Sequence, residues 1–243
     1  MGRRHVGLTG SALGTPGAAA TPGVVPDRPP SPRAWGILGG TFDPIHLGHL
    51  AIAEQIRDAL DLAGVLFIPA AQSPLKTDRP TTPALTRAAM VELAVAGNDS
   101  FRVSRLELER PLPSYTVDTL ETLRAEGRIA GAGLPDPWLI LSVESLQGLV
   151  DWREPGRLLE LCRVAVVPRG GYDPLPSGWL EGRFPGRSDR FRVLDGPNLG
   201  PSASDIRARL AAGRSIRYLV PDSVARYIDT HGLYGRTTAD GGR

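Results

Sequence analysis

The sequence has a single cysteine, Cys162, so an internal disulfide is excluded. It sits at the end of the apolar stretch LLELC and reads as a small buried hydrophobe. Long hydrophobic runs are absent: none approaches the roughly 20 residues that a membrane helix needs. Behind the basic pair Arg3 and Arg4 there is no apolar stretch long enough for a signal peptide, and Val6 breaks the myristoylation pattern that Gly2 would open. A convincing metal set is lacking too. Only His46 and His49 cluster, with no nearby Cys or carboxylate to complete it. The expectation is a cytoplasmic protein with no membrane segment and no all-protein metal cage.

A basic surface is also missing, although the pI is about 9.0. Residues 1–33 carry a net charge of +3 and the whole chain +2, so the body from residue 34 onward is near −1. The basic excess belongs to the leader, and a face for a nucleic acid polymer is not implied. The leader is Gly, Ala, Pro, Ser and Thr with hardly a large apolar side chain. It cannot bury enough surface to offset its ordering entropy, which predicts a disordered tail or a start placed too early. Residues 237–243 are expected to be disordered as well.

What is present starts at Trp35. WGILGG reads as a buried strand, followed by a helical stripe at Ile52, Ile56, Ala59 and Leu60. GVLFIP is a second strand. TRAAMVELAVAG is a helix ending at Gly97, and FRVSRLELER alternates like a strand with one slip in register. SYTVDTLETLRAEG is a helix that Ser114 could cap and Gly127 could end. The strands PWLILSV, RVAVVP and FRVLDG follow, with EPGRLLELC between the first two. SASDIRARLAAG and PDSVARYIDTHG close the chain as helices, and 169–190 reads as a long surface loop. Strands separated by single helices predict one α/β domain over 34–236, a parallel sheet with helices on both faces. A homo-oligomer is left open.

The first strand-to-helix turn of such a sheet is the usual phosphate site. Here it is Gly39-Gly40-Thr41, where glycines let a backbone approach an anion and the following helix offers free N–H groups. His46 and His49, three apart, share a face. Alone, a glycine pair is a turn and a histidine pair surface decoration; strand, GG turn, Phe-x-Pro and H-x-x-H together are more specific.

GGTFDPIHLGH, residues 39–49, resembles the G-x-F-x-P-x-H-x-G-H signature of the nucleotidylyltransferase superfamily. In its fuller form it resembles the bacterial nicotinate-nucleotide adenylyltransferases. PSYTVDTL (113–120), the block from Asp151-Trp152 to Tyr172, SASDIR (202–207) and LVPDSVARYIDTHGLY are similar to further segments of that family. The likeness runs from Trp35 to Tyr234. It implies a Rossmann-like domain and adenylyl transfer from ATP, with Mg²⁺, to nicotinate mononucleotide, releasing pyrophosphate. It implies that Gly39, Gly40, Thr41, Phe42, His46, His49, Glu144, Ser202, Ser204 and Arg207 bind ATP, with His46, His49 and Arg207 acting on the reacting phosphates. Lys76, Tyr115, Thr116 and Trp152 would bind the mononucleotide. By residue type alone, Trp152 is equally a core indole, and Arg207 and Lys76 are solvated cations.

The sequence departs from the family pattern at Leu75, where a His is usual, and at Ser142 and Glu144, where G-x-D is usual. Ser204 stands for the usual Thr, and Pro201 for an apolar residue. The departures at Leu75, Ser142 and Glu144 keep open a non-catalytic nucleotide-binding regulator; an acceptor such as nicotinamide mononucleotide or phosphopantetheine is a further alternative.

Overall fold

The computed structural model describes residues 32–72, 81–127, 133–168, 175–194 and 202–235. The unit that holds the sheet begins at Pro32. The disorder expected for the leader therefore falls, over residues 1–31, outside the described residues, as does that of 237–243.

Among the described residues six strands form one sheet: β1 (Trp35–Gly40), β2 (Gly64–Pro69), β3 (Phe101–Val103), β4 (Trp138–Ser142), β5 (Arg163–Val167) and β6 (Phe191–Val193). All are parallel, in the order β3-β2-β1-β4-β5-β6. The chain winds outward from β1 and then returns to its other side. Side chains alternate across the sheet because successive residues of a strand point to opposite faces. Leu38, Val65, Phe67, Ile140, Ala165 and Val167 join one core layer. Ile37, Leu66, Ile68, Leu139, Leu141 and Val164 join the other. Burial on both faces explains why these strands read as nearly continuous apolar runs.

The first layer is covered by α1 (Leu47–Ala59), α2 (Ala84–Val95), α7 (Ala203–Ala211) and α8 (Asp222–Thr230). The second is covered by α3 (Thr116–Glu126) and α5 (Pro155–Leu161), with the short α4 (Val143–Gln147) and α6 (Trp179–Arg183). On α1, Ile56 is buried, while Ala59 of the expected stripe is exposed and Ala53 takes its place. Gly127 ends α3 in the left-handed conformation (φ 66°), which costs a residue without a Cβ nothing. Cys162 is fully buried, and its thiol is pushed up to about 12 by that burial.

Two expectations are corrected. FRVSRLELER is a strand only over Phe101–Val103. Beyond it, the Ser104 hydroxyl accepts the Leu106 N–H at 3.3 Å and the chain turns, closing Leu108 N–H to the Arg105 carbonyl at 2.8 Å. The register slip in the alternation marks that turn. The described part of 169–190 is not a plain surface loop. It carries α6, and Phe184 is buried against Phe191 with ring centroids 4.8 Å apart. Its Gly, Pro and Arg content hid a two-aromatic anchor. α4 is a further addition: the strand PWLILSV stops at Ser142, whose hydroxyl caps the helix by accepting the Ser145 N–H at 3.2 Å.

Candidate active site

β1 pairs with β2 along its whole length but with β4 only at Gly36 and Ile37. Past Ile37 the two central strands part. The strand order reverses at this point, and a cleft of about 780 Å³ opens beyond their carboxyl ends. Gly39 is exposed on its wall, and a Cβ built there would meet nothing within 4 Å, so the backbone is bare to a ligand. A Cβ on Gly40 would come within 3.1 Å of the Phe42 ring. Phe42 has φ 49°, a left-handed conformation that costs a side-chained residue about 1–3 kcal/mol. Burial of its ring between Phe67 and His49 holds it there (centroids at 6.1 and 5.0 Å). Phe42 thus shapes the turn from beneath.

His46 is the N-cap residue of α1 and His49 its third residue. The His46 N–H donates to His49 Nδ1 at 3.3 Å, the His49 N–H donates to the His46 carbonyl at 3.0 Å, and the two rings stack 3.8 Å apart. With Nδ1 accepting, the neutral His49 ring carries its proton on Nε2, a donor suited to an anionic oxygen. The helix start adds its positive dipole end at the same place.

Opposite them, α7 begins at Ser202. Its hydroxyl accepts the Asp205 N–H at 3.1 Å, and the Asp205 carboxylate accepts the Ser202 N–H and hydroxyl at 3.3 and 2.8 Å. These bonds hold the Asp205 pKa below its ordinary value and form a capping box. Arg207 donates to the Asp43 carbonyl at 2.6 Å and to the Ser204 hydroxyl at 3.2 Å. Thr41, Ser202, Ser204 and Arg207 all line the cleft with both histidines.

The other end of the cleft is lined by Ser114, Tyr115, Thr116, Thr119 and Trp152. The expected Ser114 cap is not made. Tyr115 is the N-cap residue of α3, and the Ser114 hydroxyl instead donates to the Glu107 carbonyl at 3.4 Å. The first intrahelical bond runs from Thr119 N–H to the Tyr115 carbonyl. The donors at this helix start are therefore the N–H groups of Tyr115, Thr116, Val117 and Asp118, the four that precede the first intrahelical bond. Trp152 packs against the core and also lines the cleft; its Nε1 is buried without a hydrogen-bond partner among the described residues. The Arg153 guanidinium lies 4.8 Å from the centroid of the Tyr115 ring.

One expected member is not gathered here, and another falls outside the described residues. Glu144 is exposed and absent from the cleft wall; its carboxylate accepts the Ser142 hydroxyl at 3.0 Å, and Ser142 itself faces the cleft. Lys76, the only lysine of the chain, and Leu75 lie outside the described residues.

Several residues were missed in the sequence. Glu107 is 9% exposed and accepts the Thr119 hydroxyl at 3.0 Å; burial pushes its carboxyl up from the ordinary value. Arg87, fully buried, donates to the carbonyls of Thr41, Ala71 and Thr82. Burial depresses its pKa, and the Asp43 charge opposes that shift. Asp43, also buried, accepts the Tyr234 hydroxyl at 2.6 Å and the Thr82 N–H at 3.3 Å. Its place inside the signature, and that of Tyr234 at the end of the tail segment LVPDSVARYIDTHGLY, were the signals available; nothing local marked Arg87. Among the described residues no three His, Cys, Asp or Glu side chains group to hold a metal ion.

Residues 37–209 match the cytidylyltransferase-like family. The chain is 48% identical over 200 residues to a protein of Roseiflexus sp. (strain RS-1) named probable nicotinate-nucleotide adenylyltransferase, covering 82% of this chain and 96% of that one. A protein of Thermomicrobium roseum with the same name is 44% identical over 199 residues, 82% of this chain and 90% of its own. Among solved structures, the fold is similar to Plasmodium falciparum nicotinic acid mononucleotide adenylyltransferase complexed with NaAD. The TM-score is 0.68 at 18% identity, over 84% of this chain and 98% of that one.

Proposed function

The chain belongs to the cytidylyltransferase-like family and, within it, to the nicotinate-nucleotide adenylyltransferases, and on that premise we propose which of its residues carry out the reaction. The enzyme joins ATP and nicotinate mononucleotide to give nicotinate adenine dinucleotide and pyrophosphate, a step of NAD biosynthesis. The observation that carries the assignment of roles is the cleft where β1 and β4 part, with a bare glycine, two stacked histidines and Arg207 on its walls.

The attacking group is an oxygen of the mononucleotide's 5′-phosphate. A phosphate monoester has its second pKa near 6, so it is largely dianionic at pH 7 and needs no general base. It forms a bond to the α-phosphorus of ATP as the bond to the β-bridging oxygen breaks, and pyrophosphate leaves with that electron pair. The protein's part is alignment and stabilisation of charge. Gly39 and Gly40 bring the backbone close to the phosphates. His46 and His49, at the positive end of α1, hold the α-phosphate and the departing oxygens. Ser202, Ser204 and Arg207 hold the β- and γ-phosphates at the start of α7.

The donor set suits a cation that arrives on the nucleotide. The Asp43 carboxylate is already occupied by Tyr234 and Thr82, and no other carboxylate of the cleft joins it in a ligand group among the described residues. Mg²⁺ arriving with ATP would supply charge neutralisation for the departing pyrophosphate, beside the phosphate-holding Ser202, Ser204 and Arg207. Trp152 offers the pyridine ring a stacking surface, and the mononucleotide lies along Tyr115 and the start of α3. The uncapped N–H groups there favour a carboxylate over a carboxamide, whose NH₂ would face other donors.

Pyrophosphate release with Mg-ATP and either nicotinate or nicotinamide mononucleotide tests both parts. The acid should exceed the amide in kcat/KM by at least about tenfold, since stranding polar groups costs about 1–3 kcal/mol each. No release with the acid would refute the catalytic roles. Equal constants would show that the start of α3 does not read the carboxylate.

A further inference from the structure

The turn Thr41–Phe42–Asp43 joins β1 to the histidine helix, and every residue in it is held from outside. Arg87 takes the Thr41 carbonyl, the core takes the Phe42 ring, and Asp43 is engaged three times. Its Oδ2 accepts the Thr82 N–H at 3.3 Å, and its main-chain oxygen accepts Arg207 at 2.6 Å. Its Oδ1 accepts the Tyr234 hydroxyl at 2.6 Å, across 191 residues of chain.

Tyr234 lies in a short 3₁₀ turn, Leu233–Gly235, that packs on the first core layer. Its φ of 63° is again left-handed, so the hydrogen bond ties one strained residue to Asp43, the neighbour of the strained Phe42. Burial and the neighbouring carboxylate push its phenol pKa up, which keeps the hydroxyl a donor. Arg207 donates to the main-chain oxygen of the same residue, so the position of Asp43 sets where the guanidinium rests.

We propose that Tyr234 is a positioning residue for adenylyl transfer, holding Asp43 so that the phosphate-binding turn and Arg207 are aligned with the reacting phosphates. The inference rests on the adenylyltransferase roles given above. It makes the last described turn of the chain part of the active-site framework without touching substrate.

Tyr234→Phe removes one oxygen and leaves the ring packed. Misplacement of aligned groups by about 1 Å can cost roughly a hundredfold in rate. The expected result is a kcat lower by about ten- to a hundredfold with KM for ATP nearly unchanged, read well below the variant's Tm. Asp43→Asn, which offers the hydroxyl a weaker neutral acceptor, should lower kcat in the same direction and carries the test if Tyr234→Phe does not fold. In the double variant the losses should not multiply, because both break one link.

A lowered Tm with wild-type kcat in either folded variant would overturn the proposal and leave a purely structural tie. Losses that multiply in the double variant would overturn it as well. Wild-type protein that makes no dinucleotide in the same assay would overturn the adenylyl-transfer roles themselves, and this inference with them.

Discussion

At the scale of single residues, His49 has two separable duties. Its Nδ1 accepts the His46 N–H at the start of α1, and its ring lines the cleft. Loss of the first costs helix stability, on the order of 1 kcal/mol for an N-terminal capping interaction. Loss of the second removes a preorganised donor from the transition state, on the order of 3 kcal/mol or roughly a hundredfold in rate. His49→Ala should therefore lower both Tm and kcat. His49→Gln can keep the reciprocal bond to the N-cap N–H, as glutamine does at the third position of a capping box. It should restore Tm while kcat stays low. Paired melting curves and turnover numbers check this, and near-wild-type turnover in His49→Ala would remove the imidazole from the mechanism.

At the scale of an element, α3 shows how a buried acid can fix a helix start. Glu107 precedes the helix, accepts the Thr119 hydroxyl from its first turn, and takes the Ser114 hydroxyl on its carbonyl. Burial raises its pKa above the ordinary value of 4.5. The folded protein therefore binds this proton more tightly than the unfolded chain does. The stability this contributes is complete below the unfolded pKa and is lost as pH rises through the folded pKa. Glu107→Gln keeps an acceptor for Thr119 and cannot ionise. Its Tm relative to wild type should increase as pH is raised from about 4 toward neutrality, where an unperturbed Glu would be ionised. A Tm difference that is flat with pH would mean that Glu107 is no harder to ionise in the fold than outside it.

At the scale of the whole molecule, the region matched by the family begins at residue 37, and the sheet-bearing unit at Pro32. Within that unit, Arg33 pairs with Asp61 at 3.0 Å and the Ala34 carbonyl accepts the Ala63 N–H at 2.8 Å. Residues 1–31 are proposed to be dispensable, since their composition offers no core. A chain beginning at Pro32 should match the full chain in kcat/KM and in melting temperature. A clear loss of either would show that the leader packs or binds something.

By itself, the sequence determined whatever depends on neighbours along the chain. The run Trp35 to Leu38, the glycine pair and the histidines three apart together specify a buried strand, a bare turn and a helix start. Ser202 and Asp205, also three apart, specify the cap of α7. The long apolar strands specify a sheet covered on both faces. Only the tertiary structure decided the contacts between distant residues. Arg87 lies in a helix with no local feature to single it out, yet it is buried beneath the Thr41 turn. Tyr234 meets Asp43 only because α8 returns the chain to β1. Ser114 gave its hydroxyl to Glu107 because the chain turns after Phe101–Val103 and folds back on α3. Periodicity and capping act through residues one to four apart and so leave a local pattern. A buried hydrogen bond between residues far apart in the chain leaves none, because its stabilisation arises only once packing has excluded water from both partners.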